Sequence, residues 1–406
     1  MLLSQALRMR KFRPGISDVL YILEAGSSGI IGAIDISDID NPEFISQRSV
    51  SDTPSDMAFD FTGNSYGPLF SGLYNYSAVV YVGIDVDVAN DDAMAVFDLS
   101  NIGGGVLSAA VNNIYEDPTG LLQVRYFGLD ISRQYLFGSY AASPDGVFAL
   151  DTWGSSGGTE GMNVSQLLYA SAIPYVSNSS RDITDVAYDA DSQTLYVVAD
   201  NDASLPNQEV IAIDCSTASS LTIDGYYGDA DTNLIAGPPC VEVLNGANNP
   251  YSSTDWLYVG TQTDKVLKIN CSTPSSMSLS SSATLSMRPE YIYVPDETYN
   301  YIFACGSVGG DYVSSIANAK SSGSLSVADE LLISGASTLT CIAATTPAQY
   351  GTRYLFVGDT AGKIHVISAD GSGNLSLYAT WDDTNISGVP SSLMDNIRRL
   401  QYQNLV

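Results

Sequence analysis

The sequence holds a single histidine, His365, among 406 residues. That scarcity removes chemistry that leans on imidazole: neither a serine nucleophile with a histidine base nor a multi-histidine zinc centre can be assembled without other side chains standing in. His365 lies in Lys363-Ile-His-Val-Ile367, alternating with apolar neighbours, and reads as a strand residue on a sheet face. Positive charge is also scarce, with 16 Lys and Arg against 45 Asp and Glu and a formal net charge of −29. Such a body repels nucleic acid and anionic lipid, so neither is expected as a partner. No run approaches the roughly eighteen apolar residues of a membrane span, and no membrane insertion is expected. Helix-length amphipathic patterns are almost absent, which argues against βαβ units and a parallel sheet. The five cysteines, Cys215, Cys240, Cys271, Cys305 and Cys341, show no CxxC or Cys/His spacing for zinc. Small buried thiols are the expected reading.

What the chain does contain is repetition. A short aromatic-aliphatic strand recurs seven times, as Leu20-Tyr-Ile22, Val80-Tyr-Val82, Tyr135-Leu-Phe137, Leu195-Tyr-Val197, Leu257-Tyr-Val259, Tyr301-Ile-Phe303 and Tyr354-Leu-Phe356, spaced 44 to 62 residues apart. A second strand follows each copy, best seen in Ala33-Ile-Asp-Ile-Ser37, Val96-Phe-Asp-Leu-Ser100 and Ala212-Ile-Asp-Cys-Ser216. A third comes after it: Phe44-Ile-Ser46, Val106-Leu-Ser108, Leu167-Leu-Tyr169, Leu221-Thr-Ile223, Met277-Ser-Leu279, Leu325-Ser-Val327 and Leu375-Ser-Leu377. Ahead of every copy but the first sits an apolar strand such as Ile183-Thr-Asp-Val-Ala-Tyr188 or Cys240-Val-Glu-Val243. Four short strands at this period make a propeller blade. The expectation is an all-β, single seven-bladed β-propeller over 16–406, preceded by a basic N-terminal arm over 1–15. The first repeat lacks its leading strand and the chain ends on an unpaired one, Asn396 to Tyr402, so closure should come from the C-terminal strand pairing into the N-terminal blade. Cys215 and Cys271 then occupy equivalent positions in neighbouring blades, too far apart to bridge.

The segment Ala33-Ile-Asp-Ile-Ser-Asp-Ile-Asp-Asn-Pro-Glu-Phe-Ile-Ser46 resembles the LVIVD repeat of bacterial and archaeal surface propellers. Leu257-Tyr-Val-Gly-Thr-Gln-Thr263 and Ser143-Pro-Asp-Gly146 resemble pieces of lactonase-type seven-bladed propellers. The resemblance implies the fold and an extracellular setting; it implies little about activity.

Propeller geometry puts the loops between second and third strands, and those leading to the next blade, on one face beside the central channel. Here those loops are rich in acid, including Glu24, Asp85, Asp87, Asp200, Asp229, Asp231, Asp359 and Asp382. Alternating carboxylate and amide oxygens make calcium the candidate cofactor, with Asp229, Asp231 and Asn233, or Asp85 and Asp87, as the ligand sets. Most such Asp-x-Asp loops are turn formers, and calcium is the minority reading. Acids are so abundant that no catalytic pair can be nominated. Six Asn-x-Ser sequons, at Asn75, Asn163, Asn178, Asn270, Asn374 and Asn385, favour an extracellular, cell-surface or virion location and a glycoprotein.

Four of the sixteen basic residues, Arg8, Arg10, Lys11 and Arg13, crowd the first thirteen positions. The apolar stretch before them is too short for a secretion signal and the charges lie on its wrong side. The arm is therefore expected to dock on the acidic body, its own or that of a neighbouring copy. A head-to-tail contact of that kind builds filaments. The leading expectation is a non-enzymatic structural or adhesive propeller acting on a protein partner, further copies of itself or glycan. The alternative is a lactonase-type or other hydrolase with a carboxylate site, calcium-assisted or not, at the channel mouth.

Overall fold

In the computed structural model, the structure describes residues 16–404 apart from 27–28, 51–52, 61–78, 86–91, 100–101, 103–104, 108–114, 117–122, 131–134, 142–145, 152–162, 170–181, 200–207, 229–238, 247–248, 296–298 and 346–351. The basic arm lies outside these residues.

Seven four-stranded antiparallel sheets form the blades. Blade A runs from its inner to its outer strand as β28 (Ile397–Asn404), β1 (Asp18–Glu24), β2 (Ile30–Asp35) and β3 (Glu43–Ser49). Blade B is β4 (Thr53–Asp60), β5 (Val79–Asp85), β6 (Asp92–Asp98) and β7 (Tyr115–Glu116). Blade C is β8 (Gln123–Asp130), β9 (Tyr135–Ala141), β10 (Gly146–Asp151) and β11 (Asn163–Tyr169). Blade D is β12 (Ile183–Asp189), β13 (Thr194–Ala199), β14 (Val210–Asp214) and β15 (Thr222–Tyr227). Blade E is β16 (Val241–Leu244), β17 (Trp256–Gly260), β18 (Lys265–Asn270) and β19 (Ser278–Thr284). Blade F is β20 (Tyr291–Tyr293), β21 (Tyr301–Gly306), β22 (Tyr312–Ala317) and β23 (Ser326–Leu332). Blade G is β24 (Leu339–Ala344), β25 (Arg353–Asp359), β26 (Ile364–Ala369) and β27 (Leu375–Trp381). The expected closure is present: β28 pairs antiparallel with β1 from Asp18↔Asn404 to Glu24↔Ile397.

The second and third strands of each blade read as apolar runs because neighbouring blades cover both their faces. In β1, Val19, Tyr21 and Leu23 pack toward blade B with Val80 and Val82, while Leu20 and Ile22 pack toward blade G with Phe356 and Ile364. The recurring tyrosine does more than fill space. Tyr196 donates its hydroxyl to the Cys271 carbonyl of the next blade at 3.3 Å, and Tyr258 to the Ala319 carbonyl at 2.8 Å. Tyr258→Phe leaves a buried carbonyl without this donor and should cost about 1–3 kcal/mol in denaturant unfolding.

Among the described side chains, those of the outer strands β3, β15, β19, β23 and β27 are mostly half-buried or exposed, and the outer strands share a device. Between third and fourth strands a β-bulge falls at equivalent places in six blades, for example after Ala33, Ala212, Lys268 and Val366. Such bulges twist the exposed edge away from pairing with another chain. One outer strand departs from expectation: β7 is Tyr115–Glu116, whereas Val106 and Leu107 of the expected strand are not in one and Ser108 lies outside the described residues. The chain leaving β6 instead makes turns, with Ile102 N–H donating to Leu99 O and Gly105 N–H to Ile102 O, and buries Leu107 against the core.

Two lysines, Lys268 and Lys320, are fully buried, and the first of them joins blades E and F. Lys268 has no exposed surface; its Nζ donates to the carbonyls of Asn318 (3.0 Å), Gly323 (3.2 Å) and Ser321, and lies 4.2 Å from the centre of the Trp256 ring. Burial lowers its pKa from an ordinary 10.5 to about 8. The folded state therefore sheds this proton first, and Lys268 makes stability rise as pH goes from about 8 to about 10.5. Lys268→Met should flatten that rise in urea titrations taken across the same range.

Candidate active site at the channel mouth

The inner strands begin at one end of the central channel, and there five of them carry a β-bulge. The irregularity falls between Ile183 and Asp185 in β12, Leu339 and Cys341 in β24, Val124 and Tyr126 in β8, and Pro54 and Met57 in β4; in blade A it falls at the step from Ile397 to Arg399 in β28. A regular strand would turn alternate residues toward opposite faces. The bulge breaks that alternation and lets consecutive residues reach the channel. Thr184 with Asp185, Leu339 with Thr340, and Arg398 with Arg399 all line one cavity of about 340 Å³, together with Tyr126, Arg288, Glu290 and Tyr291.

Arg399 organises the floor. Its Nε donates to Asp56 Oδ1 at 2.7 Å, and its guanidinium lies 5.3 Å from the Tyr291 ring centre and 6.0 Å from that of Tyr126. Burial alone would lower its pKa, but Asp56, Tyr291 and Asp185 reverse the sign and hold it protonated. Asp56 Oδ2 in turn accepts the Phe127 N–H at 3.1 Å, joining blades B and C. Asp185 is the carboxyl of this cavity that is displaced into the neutral range. Burial pushes its carboxyl up to about 7; Arg399 and the N–H groups of Val241 (3.0 Å) and Val186 (2.9 Å) pull it back only in part. Burial likewise keeps the Tyr126 and Tyr291 phenols protonated. At the rim, Arg288 donates through Nε to Glu290 at 2.6 Å and through Nη1 to Gln262 at 2.7 Å. Arg398 is exposed and reaches the Ser55 carbonyl at 3.4 Å.

Arg398 and Tyr126 also line a second cavity of about 380 Å³, on the side of blades A to C, with Ala25, Thr53, Pro54, Ser55 and Asn396. The mouth is thus two adjoining compartments with one arginine between them. A carboxyl that exchanges its proton near neutrality, guanidinium donors beside it and aromatic walls are the elements of acid–base chemistry on a small polar ligand. The residues needed for it come from six blades, so the closed ring is a precondition of the site.

The candidates drawn from sequence fall elsewhere. Asp87, Asp229, Asp231 and Asn233 lie outside the described residues, as does the side chain of Asp85 at the end of β5. Among the described residues no group of three His, Cys, Asp or Glu is arranged to hold a metal. Glu24 stands at the mouth end of β1, where burial raises its pKa and Asp395 adds to the effect. Asp359 is buried and structural: its carboxylate accepts the N–H groups of Ser337, Ala361 and Lys363 and faces His365 Nε2 at 3.2 Å. Burial would raise its pKa, yet these donors outweigh it and hold the carboxyl below its usual range. His365 is the expected strand residue and does not line the mouth cavities, with Nδ1 3.3 Å from Thr380 Oγ1. All five cysteines are free and buried. Of the sequons, Asn374 and Asn385 are exposed and Asn270 half-buried; Asn75, Asn178 and the Asn163 side chain lie outside the described residues.

Several solved structures share this architecture. A periplasmic gluconolactonase from Pseudomonas aeruginosa superposes with a TM-score of 0.64 at 11% identity, over 96% of this chain and 99% of that one. The fold is common to both. A Bacteroides uniformis protein described as a candidate 6-phosphogluconolactonase gives 0.65 at 13% identity, over 96% of this chain and 100% of its own, and a protein from Lactobacillus plantarum gives 0.63 at 10%, over 96% and 99%. No protein-family model and no curated protein matches the sequence, so the LVIVD resemblance stands on its short motif alone. Among the described residues no helix is long and apolar enough to cross a membrane.

Proposed function

We propose that the protein is a hydrolase of sugar-acid lactones working at the channel mouth, with Asp185 as its general base. One observation carries this reading: a carboxyl poised near pH 7, at about 7, in a cavity whose other charged walls include Arg398, Arg399 and Arg288. In the step envisaged, Asp185 takes a proton from water as the water oxygen attacks the lactone carbonyl carbon. Arg398 donates to the oxyanion that forms. The ring C–O bond then breaks, Asp185 returns its proton to the leaving alkoxide, and the product is an open-chain hydroxy acid. Lactonases among the proteins of this fold support the choice of substrate class, and a periplasmic one supports placement outside the cytoplasm. The mouth accounts for more of the unusual chemistry of this chain than an adhesive role does, since nothing in adhesion calls for a carboxyl held near neutrality.

The test is base uptake by purified full-length protein on D-glucono-1,5-lactone at pH 6.5, where the spontaneous reaction is slow. Turnover well above the buffer rate is expected, with a phenyl ester of similar size left untouched. Equal, background-level rates on both would remove the reading.

A further inference from the structure

The first compartment is at the small end of the roughly 300–1,000 Å³ that ligand sites occupy, and the second is as large again. Apart from Arg398, which lines both, the hydrolytic step uses no residue of the second. Its lining is nonetheless predominantly polar: Thr53, Ser55, Asn396 and Arg398, with Pro54 and the aromatic residue Tyr126. The backbone of Asn396 is fixed by its carbonyl, which accepts the Ala25 N–H at 2.9 Å, and Asn396 lines the cavity. Neutral donors and acceptors beside an aromatic ring fit a pyranose, which presents hydroxyls at its edge and C–H groups on its faces. A phosphate would call for more than the one guanidinium, Arg398, that this compartment holds.

We infer that the mouth is a two-subsite cleft and that its substrate is a glycosylated sugar-acid lactone: the lactone ring sits by Asp185, and a second sugar sits among Thr53, Asn396 and Tyr126. Arg398, shared by both compartments, marks the junction. This inference rests on the hydrolase reading for the first subsite only, and its test is a binding measurement that needs no turnover.

Calorimetry on the full chain compares three stable acids: gluconate, maltobionate and 6-phosphogluconate. Maltobionate should bind about tenfold more tightly than gluconate, the gain of a few added hydrogen bonds and a stacked ring. Asn396→Ala and Thr53→Val should each collapse the ratio of the two affinities toward one, with gluconate reporting that the variants are folded. Equal affinity for the two acids, a ratio untouched by the variants, or no binding of any acid would overturn the second subsite. Tighter binding of 6-phosphogluconate than of maltobionate would overturn it in favour of a phosphate pocket. The hydrolase reading is judged apart, by turnover of gluconolactone, so either can fail alone.

Discussion

A chain ending at Asp395 is expected to lose cooperative unfolding altogether. Without β28, blade A has three strands and β1 becomes an inner edge whose pairs from Asp18 to Glu24 are all lost. Ile397 and Leu400, both buried, no longer cover Leu20, Ile22 and Phe356. Each such side chain is worth about 1.5–3 kcal/mol when fully buried. The truncation also removes the bond from Tyr21 Oη to Gln403 at 2.6 Å, the Arg399–Asp56 pair, and the Ile397 carbonyl that Thr340 bonds at 2.7 Å. Against a total stability of about 5–15 kcal/mol the sum is decisive. Calorimetry should show no sharp transition for the truncated protein, and a peptide spanning 396–406 added in trans should restore one. A melting temperature within a few degrees of the full-length value would mean that the ring does not depend on its last strand.

The second large effect is chemical. Asp185→Asn should reduce kcat/KM on gluconolactone by at least about 10², the lower end of what a general base contributes. In the parent, kcat/KM should rise with pH and level off above an apparent pKa of about 7, because only the ionised carboxyl accepts a proton. Stability should move the other way. The folded protein holds the Asp185 proton up to about pH 7, whereas the unfolded chain releases it near the ordinary 3.8, so this group makes stability fall between those values. Asp185→Asn cannot ionise and should show a shallower fall between pH 4 and 7 in urea titrations. Loss of activity together with loss of stability at every pH would instead mark Asp185 as purely structural.

The blades could be read from sequence because burial on both faces writes long apolar runs, as in Val79-Val-Tyr-Val82 or Leu195-Tyr-Val-Val198. Closure by β28 followed from counting strands. The outer strand of blade B is not legible in the pattern because an edge strand is under little constraint, and Val106-Leu107 is apolar for another reason: Leu107 plugs the core at the end of a turn. The site was obscured differently. Acid is so common here that Asp185, in an otherwise ordinary inner strand, does not stand out, and the alternating acids point instead to loops such as Asp229 to Asn233. Yet charged side chains at the start of inner strands, Asp56, Asp185, Glu290 and the Arg398-Arg399 pair, break an apolar expectation, and that was the available signal. Their convergence depends on bulge positions and on six blades meeting at one mouth, which no local pattern encodes.

The most direct test of the account is a crystal structure of the full-length protein grown with saturating gluconate. The account predicts the acid in the compartment between Arg398 and Asp185, with oxygen atoms about 3 Å from both side chains. Gluconate bound on the opposite face, or an empty mouth under conditions where calorimetry shows binding, would contradict it.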